Sequence, residues 1–549
     1  KGLNFRSTVG VDYELGRRGW VYPQKDPESA LSENGIEMNN DGSYTWNNVI
    51  TFNKTFSLNR LIITGVHEIQ RRHDEYYMYR GEEPEEIRSL WYNFGTNNLE
   101  TDQISSKLEE TSLVSVLGRL NYTFNDRYIF NASLRADAAS QLAPGYKWQY
   151  FPATSVAWRV SEESFMENIK SVVSDLKIRL SYGTTGNASI DPYSVYPGVN
   201  TWPLYVEFGE DDNARPVLSF RPTTLASADL TWERTKQINL GFDISLFRNR
   251  LVTNIDLYKA NTDNILMVDR LPANTGFFFV DANSASTETK GIELSIQSVN
   301  VSTPAFSWTT NLVFSANREK ITGLVSGVEQ DIANGWFVGQ PIDVIYDYRM
   351  TGIRQIGDLD TIYTGAAEYL PGDILVDDTD FNDTINNDDM VILGQESPKW
   401  IANFENTIRF NGLSLSFSIY AKWGHMIDAE AYDWDPRMLN NLLDVPYWMP
   451  NNPGNEYPRL DASITETDFE SVISYRDASF IKLRQVTLSY ELPVKWFGSL
   501  PVSRLNVYVS SKNTAYLYTK VMKGIDPERN GSISWPLARL YTFGINASF

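Results

Sequence analysis

A strict alternation of apolar and polar side chains constrains the fold of this chain more than any other feature of its sequence. A period of two places every second side chain on the same face of a β-strand. In residues 236–246 the alternating apolar positions are Ile238, Leu240, Phe242, Ile244 and Leu246. The pattern recurs in residues 114–124, 128–137, 251–258, 402–421 and 541–549. The chain is therefore predicted to be all-β.

The connections between the predicted strands are alternately short and long. Asn411-Gly412 is a strong signal for a two-residue hairpin turn, in which both residues have positive φ. Other short turns are predicted near Ser57, Asp126, Arg248, Thr303 and Pro493. Long connections are predicted at 16–42, 70–112, 184–229, 262–287, 318–398, 424–478 and 512–536. About 16 strands of roughly 10–13 residues, with long loops at one end only, are typical of a transmembrane antiparallel β-barrel.

This fold makes specific predictions for individual segments. In residues 236–246 the apolar face would contact lipid, while Asn239 and Asp243 would face the barrel interior. The helical spacing of Phe165, Ile169 and Val172 predicts one short helix within 162–176, at the short-turn end. A soluble all-β protein, such as tandem sandwiches or a propeller, also alternates, but it does not confine long loops to one end of its hairpins.

Composition argues against several other classes of protein. The chain has 69 acidic and 48 basic residues and a net charge of −21, which opposes binding to nucleic acid. It has no cysteine, and no apolar run approaches the ~18 residues of a membrane helix. A nucleophile elbow and phosphate-binding glycine patterns are missing from the sequence, and the three histidines make a poor metal set. We therefore expect no enzyme activity.

Several segments resemble conserved blocks of one transporter family. They are residues 148–166 (WQYFPATSVAWRVSEESFM), 176–187 (LKIRLSYGTTGN), the hairpin 232–265, 478–493 (ASFIKLRQVTLSYELP) and 524–528 (GIDPE). In register and in order, these segments are similar to SusC/RagA-type TonB-dependent transporters of the outer membrane of Bacteroidetes. The resemblance extends over essentially the whole chain.

The resemblance implies a barrel of about 22 strands with an N-terminal plug in its interior. It also implies a SusD-like surface lipoprotein as a lid over the loops, and TonB with ExbB and ExbD as the energy source. Outer-membrane lipids would surround the barrel, and a dimer of two such transporter–lipoprotein pairs is compatible with the family. Residues 1–549 would be the C-terminal part of this barrel, without the plug, the TonB box and the first strands.

Residues 378–389 (DTDFNDTINNDD) have the spacing of an EF-hand-like calcium loop. Side-chain oxygens fall at loop positions 1, 3, 5, 9 and 12, and a backbone carbonyl is available at position 7. The predicted Ca²⁺ ligands are Asp378, Asp380, Asn382, Thr384, Asn386 and Asp389. The loop departs from the EF-hand pattern in having Asp383 at position 6 and the short Asp389 at position 12. A solvated acidic loop is the alternative interpretation.

Aromatic residues in the long connections have two interpretations. They could stack on a sugar ring or contact a peptide, or they could serve as interfacial and packing residues. The candidates for substrate contact are Trp202, Tyr205, Trp336, Trp434, Trp448 and Trp535.

The predicted function is active import of a large nutrient, such as an oligosaccharide or oligopeptide, across the bacterial outer membrane. One alternative is a passive porin-like channel complete in 16 strands, and another is an all-β surface enzyme or adhesin. Unpaired strand edges are not tolerated in lipid. The strand that begins at Leu3 and the strand that ends at Phe549 must therefore pair with each other or with further strands, and the resemblance favours further strands.

Overall fold

The structure is a computed structural model. It describes residues 2–549 except 24–31, 83–87, 89, 93, 95–102, 208–213, 359–369, 438–443, 465–466, 494–495, 497, 499–500, 522–524 and 533–536, and except the side chains of 201–207, 214–218 and 326. Within this described part, no helix has the length and apolar character needed to cross a membrane.

The described residues form mostly β-strands, with one four-residue α-helix, α1 (Ser471–Ser474). The strands are β1 Leu3–Tyr22, β2 Glu33–Phe56, β3 Asn59–Glu82, β4 Gln103–Phe124, β5 Tyr128–Ala139, β6 Trp148–Arg159, β7 Val173–Asn187, β8 Gly198–Glu207, β9 Ala214–Thr224, β10 Glu233–Leu246, β11 Leu251–Arg270, β12 Phe279–Ser302, β13 Phe306–Gly323, β14 Gln330–Asp331, β15 Trp336–Phe337, β16 Val344–Asp347, β17 Met350–Ile353, β18 Ile374–Val376, β19 Val391–Gln395, β20 Trp400–Phe410, β21 Leu413–Trp423, β22 Met426–Asp428, β23 Tyr475–Asp477, β24 Phe480–Leu492, β25 Arg504–Thr519 and β26 Leu540–Ser548.

One antiparallel sheet contains 16 of these strands, in the order β1-β2-β3-β4-β5-β6-β7-β10-β11-β12-β13-β20-β21-β24-β25-β26. Each strand of the sheet therefore neighbours the next sheet strand along the chain. The remaining strands form two-stranded pairs within the long connections: β8-β9, β14-β15, β16-β19, β17-β18 and β22-β23. The all-β fold that the alternation predicts is confirmed.

The chain divides into two compact units, each with its own apolar core. The first unit comprises 1–158, 180–238 and 261–286, and the second comprises 159–179, 239–260 and 287–549. In the first unit, Phe151 packs edge-on against Trp232, with 5.5 Å between the ring centroids, and Leu142 and Leu230 are buried beside them. These two aromatic residues belong to two of the segments that carry the family resemblance.

The two faces of the sheet follow the predicted parity. Arg179 of β7 donates to Asp243 of β10 over 2.9 Å and to Asp256 of β11 over 3.2 Å. A Cβ placed on Gly241 would lie 2.5 Å from the guanidinium carbon of Arg179. Gly241 and Asp243 thus share the polar face of β10, and its even-numbered apolar residues, including Leu240, lie on the opposite face.

The short turns have the backbone geometry that their sequences predict. Asn411 and Gly412 have φ of 46° and 87°, and Asn125 and Asp126 have φ of 53° and 51°. Positive φ at both central residues matches the twist of the flanking strands. The hairpins β20-β21 and β4-β5 are therefore fixed in register at this end.

Strands β1 to β4 are longer than predicted, with 20 to 24 residues each. Much of 16–42 and 70–112, which the sequence predicted as long loops, continues the ladder; Trp20, for example, pairs with Gly35. In β3, the face that carries apolar residues near the short turn carries charged or titratable residues farther along the strand, such as Arg71 and His73. The apolar period therefore stops while the backbone pairing continues.

The helix predicted within 162–176 is instead two 3-10 turns, Val160–Glu162 and Ser164–Ile169. Phe165, Ile169 and Val172 are exposed. Helical spacing correctly placed a helical segment here, but a 3-10 turn has three residues per turn and does not gather these side chains onto one buried face.

The end strands of the sheet, β1 and β26, each have one neighbour in the strand order. Alternate residues of both strands are strongly exposed, among them Val11 and Leu15 of β1 and Phe543 and Ile545 of β26. That the first and last strands pair with further strands stays a prediction.

Candidate functional site

The predicted calcium loop lies between β18 and β19. Carboxylate oxygens of Asp378, Asp380 and Asp389 lie within 4.8 Å of one another. Three carboxylates at this separation repel one another unless a cation or protons intervene. The spacing read from the sequence thus brings three of the six predicted ligands together.

At position 6, the backbone of the loop has the left-handed conformation that an EF-hand loop requires there. Asp383, at the position where EF-hands have glycine, adopts a left-handed φ of 59°. Its N–H donates to Asp378 over 2.9 Å, and the N–H of Thr384 donates to the side-chain oxygen of Asn382 over 2.8 Å. Aspartate tolerates this conformation better than most residues, because its short side chain can hydrogen-bond locally. The departure from glycine therefore does not prevent the turn.

Asp389 closes the loop from a fully buried position. It accepts hydrogen bonds from the N–H groups of Thr379, over 2.8 Å, and Asn386, over 2.9 Å. Burial acts to raise the pKa of Asp389, but these donors and the N–H of Asp380 outweigh it, so the pKa lies below its usual value. Asp389 is thus held as a carboxylate, the form that coordinates calcium.

Asp380 has the opposite character. The pKa of Asp380 lies above its usual value, chiefly because the carboxyl group has lost part of its hydration. The N–H of Asn382 acts to lower this pKa, whereas the nearby carboxylates of Asp389 and Asp378 raise it further. A divalent cation among the three acids would relieve this repulsion. The donor set of hard oxygens, three of them from carboxylates, fits Ca²⁺.

The loop is anchored to an apolar core formed by the long connections, which we call the loop cluster. Ile385 is buried in this cluster, as are Ile374 and Val376 of β18. The other buried members are Ile353, Ile427, Ala429, Ala431, Tyr432, Trp434, Trp448, Tyr457, Val472, Ile473, Ala478, Val521 and Ile525. The alternation of the strands contains no signal for this core, because its residues come from several connections.

Two of the predicted substrate aromatics are packing residues of the loop cluster. Trp434 is 8% exposed and lies 6.0 Å from the ring of Tyr457. Trp448 is 6% exposed, and its Nε1 donates to Gln355 over 3.0 Å. For both residues the burial favours the packing interpretation that the sequence left open.

The other predicted aromatics are placed as follows. Trp336 lies in the short strand β15 and is partly exposed. Trp202 and Tyr205 lie in β8, but their side chains are outside the described residues, as is the whole of Trp535. Contact between any of these residues and a substrate stays a prediction.

Sequence reasoning missed a buried ion pair that ties one connection to the sheet. The ammonium of Lys482, on β24, pairs with Glu528, which also receives Arg484 over 3.2 Å. The hydroxyl of Tyr516, on β25, donates to Asp526 over 2.5 Å. The acidic partners belong to the 524–528 segment, and the basic partners belong to 478–493. Both segments carry the family resemblance, and this was the sequence signal that could have indicated a contact between them.

A cavity of ≈460 Å³, lined by both polar and apolar side chains, opens on the side of the sheet that carries Arg119 and Asn131. Asn131 donates to Ser155 over 3.0 Å, and Ser133 and Gln237 also line the wall. Hydroxyl and amide groups of this kind are typical of a barrel interior in contact with water or polar ligands.

The fold and these features define a class of protein: an outer-membrane β-barrel with elaborated connections at one end. Residues 2–510 match the family described as TonB dependent receptor-like, beta-barrel, and the chain belongs to this family. Among its relatives, TonB-dependent receptor P3 of Formosa agariphila is 29% identical over 100% of this chain and 56% of its own length. SusC of Bacteroides thetaiotaomicron is 26% identical over 80% of this chain and 44% of its own length. The protein is thus of the SusC/RagA type and resides in the outer membrane.

Solved structures agree on the fold. The RagAB peptide transporter matches with a TM-score of 0.83 and 22% identity, over 100% of this chain and 60% of that chain. The same importer in an open-open state matches with a TM-score of 0.80. The chain spans about half the length of the curated relatives that it matches.

Proposed function

We propose that this chain forms part of the β-barrel of an active transporter. The transporter would import a large nutrient, an oligosaccharide or an oligopeptide, across the outer membrane. In this proposal a SusD-like surface lipoprotein covers the long connections, and TonB with ExbB and ExbD supplies the energy through the full-length protein. The relatives are TonB-dependent receptors, and RagAB is described as a peptide importer. This supports the class of function and leaves glycan and peptide both open.

The observation that carries the proposal is the loop cluster. Its apolar core joins residues of three connections, from Ile353 to Ile525, and buries two tryptophans. A channel for passive diffusion needs no such core, whereas an ordered platform suits a partner subunit or a large ligand at the barrel mouth.

The proposal includes a structural calcium ion in 378–389. Asp378, Asp380, Asn382, Asn386 and Asp389 with the Thr384 carbonyl would hold it, and the ion would neutralise the three carboxylates. Because Ile385 is buried in the loop cluster, an ordered loop would be fixed to that core. The ion would thereby stiffen the surface offered to the lipoprotein.

Uptake and co-purification test the proposal with the full-length gene in its own host. A deletion strain should lose growth on one class of oligomer, and a protonophore should stop uptake in wild-type cells within minutes. A tagged protein should co-purify with a surface lipoprotein. Uptake that continues unchanged in de-energised cells would support a passive channel, and hydrolysis of the oligomer by the purified protein would support an enzyme.

A further inference from the structure

Three lysines from three successive strands converge on one glutamate. The Glu288 carboxylate on β12 lies 2.5 Å from Lys259 Nζ on β11 and 2.9 Å from Lys290 Nζ on β12. Lys320 Nζ, on β13, lies 3.7 Å away. The lysine side chains are 44%, 59% and 49% exposed, whereas Glu288 is 13% exposed. We call these four residues the lysine cluster.

The lysine cluster lies on the apolar face of the sheet. A Cβ placed on Gly291 would lie 2.3 Å from the ring of Tyr258, so these two residues share the other face. That face also carries Asp256, which binds Arg179. By the period of two, Lys290 and Lys259 point to the opposite side, together with the apolar residues of their strands.

The cluster marks the edge of that apolar face toward the long connections. On each of the three strands, apolar residues of the same face lie between the lysine and the short turns. They are Ile255 and Leu257 on β11, Ile292 and Leu294 on β12, and Leu312 and Phe314 on β13. From Leu251, at the short turn, to Lys259, β11 has nine residues. A tilted strand needs about 9–11 residues to cross the apolar band of an outer membrane. Lysine stems at this level can lie along apolar surface while their ammonium groups reach the polar headgroup layer.

The charges of the cluster do not cancel. Three ammonium groups and one carboxylate leave a net charge of +2 on a surface of a chain whose overall charge is −21. The partly buried Glu288 draws the three amines together, and each retains donors that face outward, since an ammonium has three. A phosphate group is an anion that converging amines of this kind are suited to bind.

We propose that the lysine cluster binds the phosphorylated headgroup of a glycolipid in the outer leaflet of the outer membrane. The acyl chains of the lipid would lie along the apolar residues below the cluster, and a phosphate would contact two or three of the lysines. The proposal depends on the membrane location of the barrel and is independent of the transported substrate.

Native mass spectrometry of the full-length protein in detergent tests this proposal. The probes are lipid A with its phosphates, the same lipid after dephosphorylation, and inorganic phosphate. Wild type should bind phosphorylated lipid A, and the K259Q/K290Q/K320Q variant should bind at least about 10-fold more weakly, since basic residues at a membrane surface add their effects. The dephosphorylated lipid should bind both proteins equally weakly.

The matched control is Lys54→Gln. Lys54 is an exposed lysine near the short-turn end of β2, where no outer-leaflet headgroup is available, and its loss should leave lipid binding unchanged. If the triple variant fails to insert, Lys290→Gln alone should lower binding by a smaller factor. Equal binding of phosphorylated lipid by wild type and the triple variant would overturn the proposal. Wild type that binds the dephosphorylated lipid as tightly as the phosphorylated one would overturn it too. Inorganic phosphate that binds as well as the lipid would also overturn it, because the site would then be one for the free ion.

Discussion

The side chain of Lys482 is 2% exposed, and its ammonium group is paired with the carboxylate of Glu528. The two residues are 46 positions apart and belong to two different segments that carry the family resemblance. The pair holds the 3-10 turn Pro527–Arg529 against β24. A lysine buried to this degree needs its counter-charge, because desolvating an unpaired ammonium is costly.

The pair predicts unequal effects of removing its two members. Glu528→Gln leaves the buried ammonium with the Tyr516 hydroxyl, 3.3 Å away, and should lower the free energy of unfolding by about 3–5 kcal/mol. Lys482→Met should cost less, because Glu528 keeps Arg484 as a partner. Heat-dependent gel mobility of the full-length protein in detergent measures both. A larger loss for Lys482→Met would contradict this reading of the pair.

The parity of β10 predicts where a charge is tolerated. Leu240→Arg should lower the stability of the folded barrel by roughly 2–4 kcal/mol if residue 240 lies near the bilayer midplane. Asn239→Arg, one position away on the polar face, should cost much less, so it is the matched control. Similar losses for both variants, measured as the temperature at which the folded band disappears, would contradict the assignment of the two faces.

Calcium binding to 378–389 can be measured by the change in melting temperature on adding a chelator. Wild type should lose stability in EGTA, and Asp389→Asn should remove this difference, because one buried carboxylate ligand is lost. Asp388→Asn is the control, since this neighbouring acid is exposed and outside the predicted ligand set. Equal calcium responses of wild type and Asp389→Asn would remove the support for the site.

Asp383→Gly gives a second, independent test of the same loop. Asp383 has a φ of 59°, a conformation that glycine adopts without the cost that other residues carry. The variant should bind calcium at least as tightly as wild type, because position 6 supplies the turn and no ligand. A strong loss of calcium affinity would instead identify Asp383 as a ligand and contradict the EF-hand-like assignment.

His425 predicts a pH dependence of stability. It follows the end of β21 with its ring 1% exposed, and neither ring nitrogen has a hydrogen-bond partner among the described residues. Burial, and then the charge of Lys422, lower the pKa of His425 to about 4, while Asp477 opposes them. The folded state therefore resists protonation, and its stability should fall as the pH drops from about 6.5 to about 4, by on the order of 2–3 kcal/mol.

The test for His425 is His425→Phe, which keeps a ring against Phe480. Melting temperature measured from pH 7 to pH 4 should fall less steeply for this variant than for wild type. The two proteins should differ least at pH 7, where the histidine is neutral in both the folded and the unfolded state. Parallel pH profiles would show that another group controls the acid sensitivity.

The sequence predicted those parts of the molecule that depend on local pattern. Parity alone assigned the faces of β10, and Asn411-Gly412 predicted its turn, because both depend on neighbours a few residues away. The oxygens of 378–389 were also predictable, since consecutive loop positions supply them. In each of these cases, the residue types and the backbone conformation that arranges them belong to the same short segment.

Other features depend on register between distant strands, which alternation does not encode. The meeting of Lys259, Lys290 and Lys320 at Glu288 requires the relative heights of three strands. The loop cluster requires contacts between connections separated by long stretches of sheet. The upper ends of β1 to β4 were missed for a related reason: backbone pairing there continues without an apolar period.

The strand order has a consequence for how proteins of this kind diversify. Each strand of the large sheet neighbours the next sheet strand along the chain. A connection can therefore be lengthened, exchanged or shortened without changing which strands pair in the sheet. The segment between β13 and β20, which carries six short strands and the acidic loop, is a long connection of this type. New specificities can therefore arise by replacing connections piece by piece on an inherited scaffold, so we expect related genes to differ most between the strands and least within them.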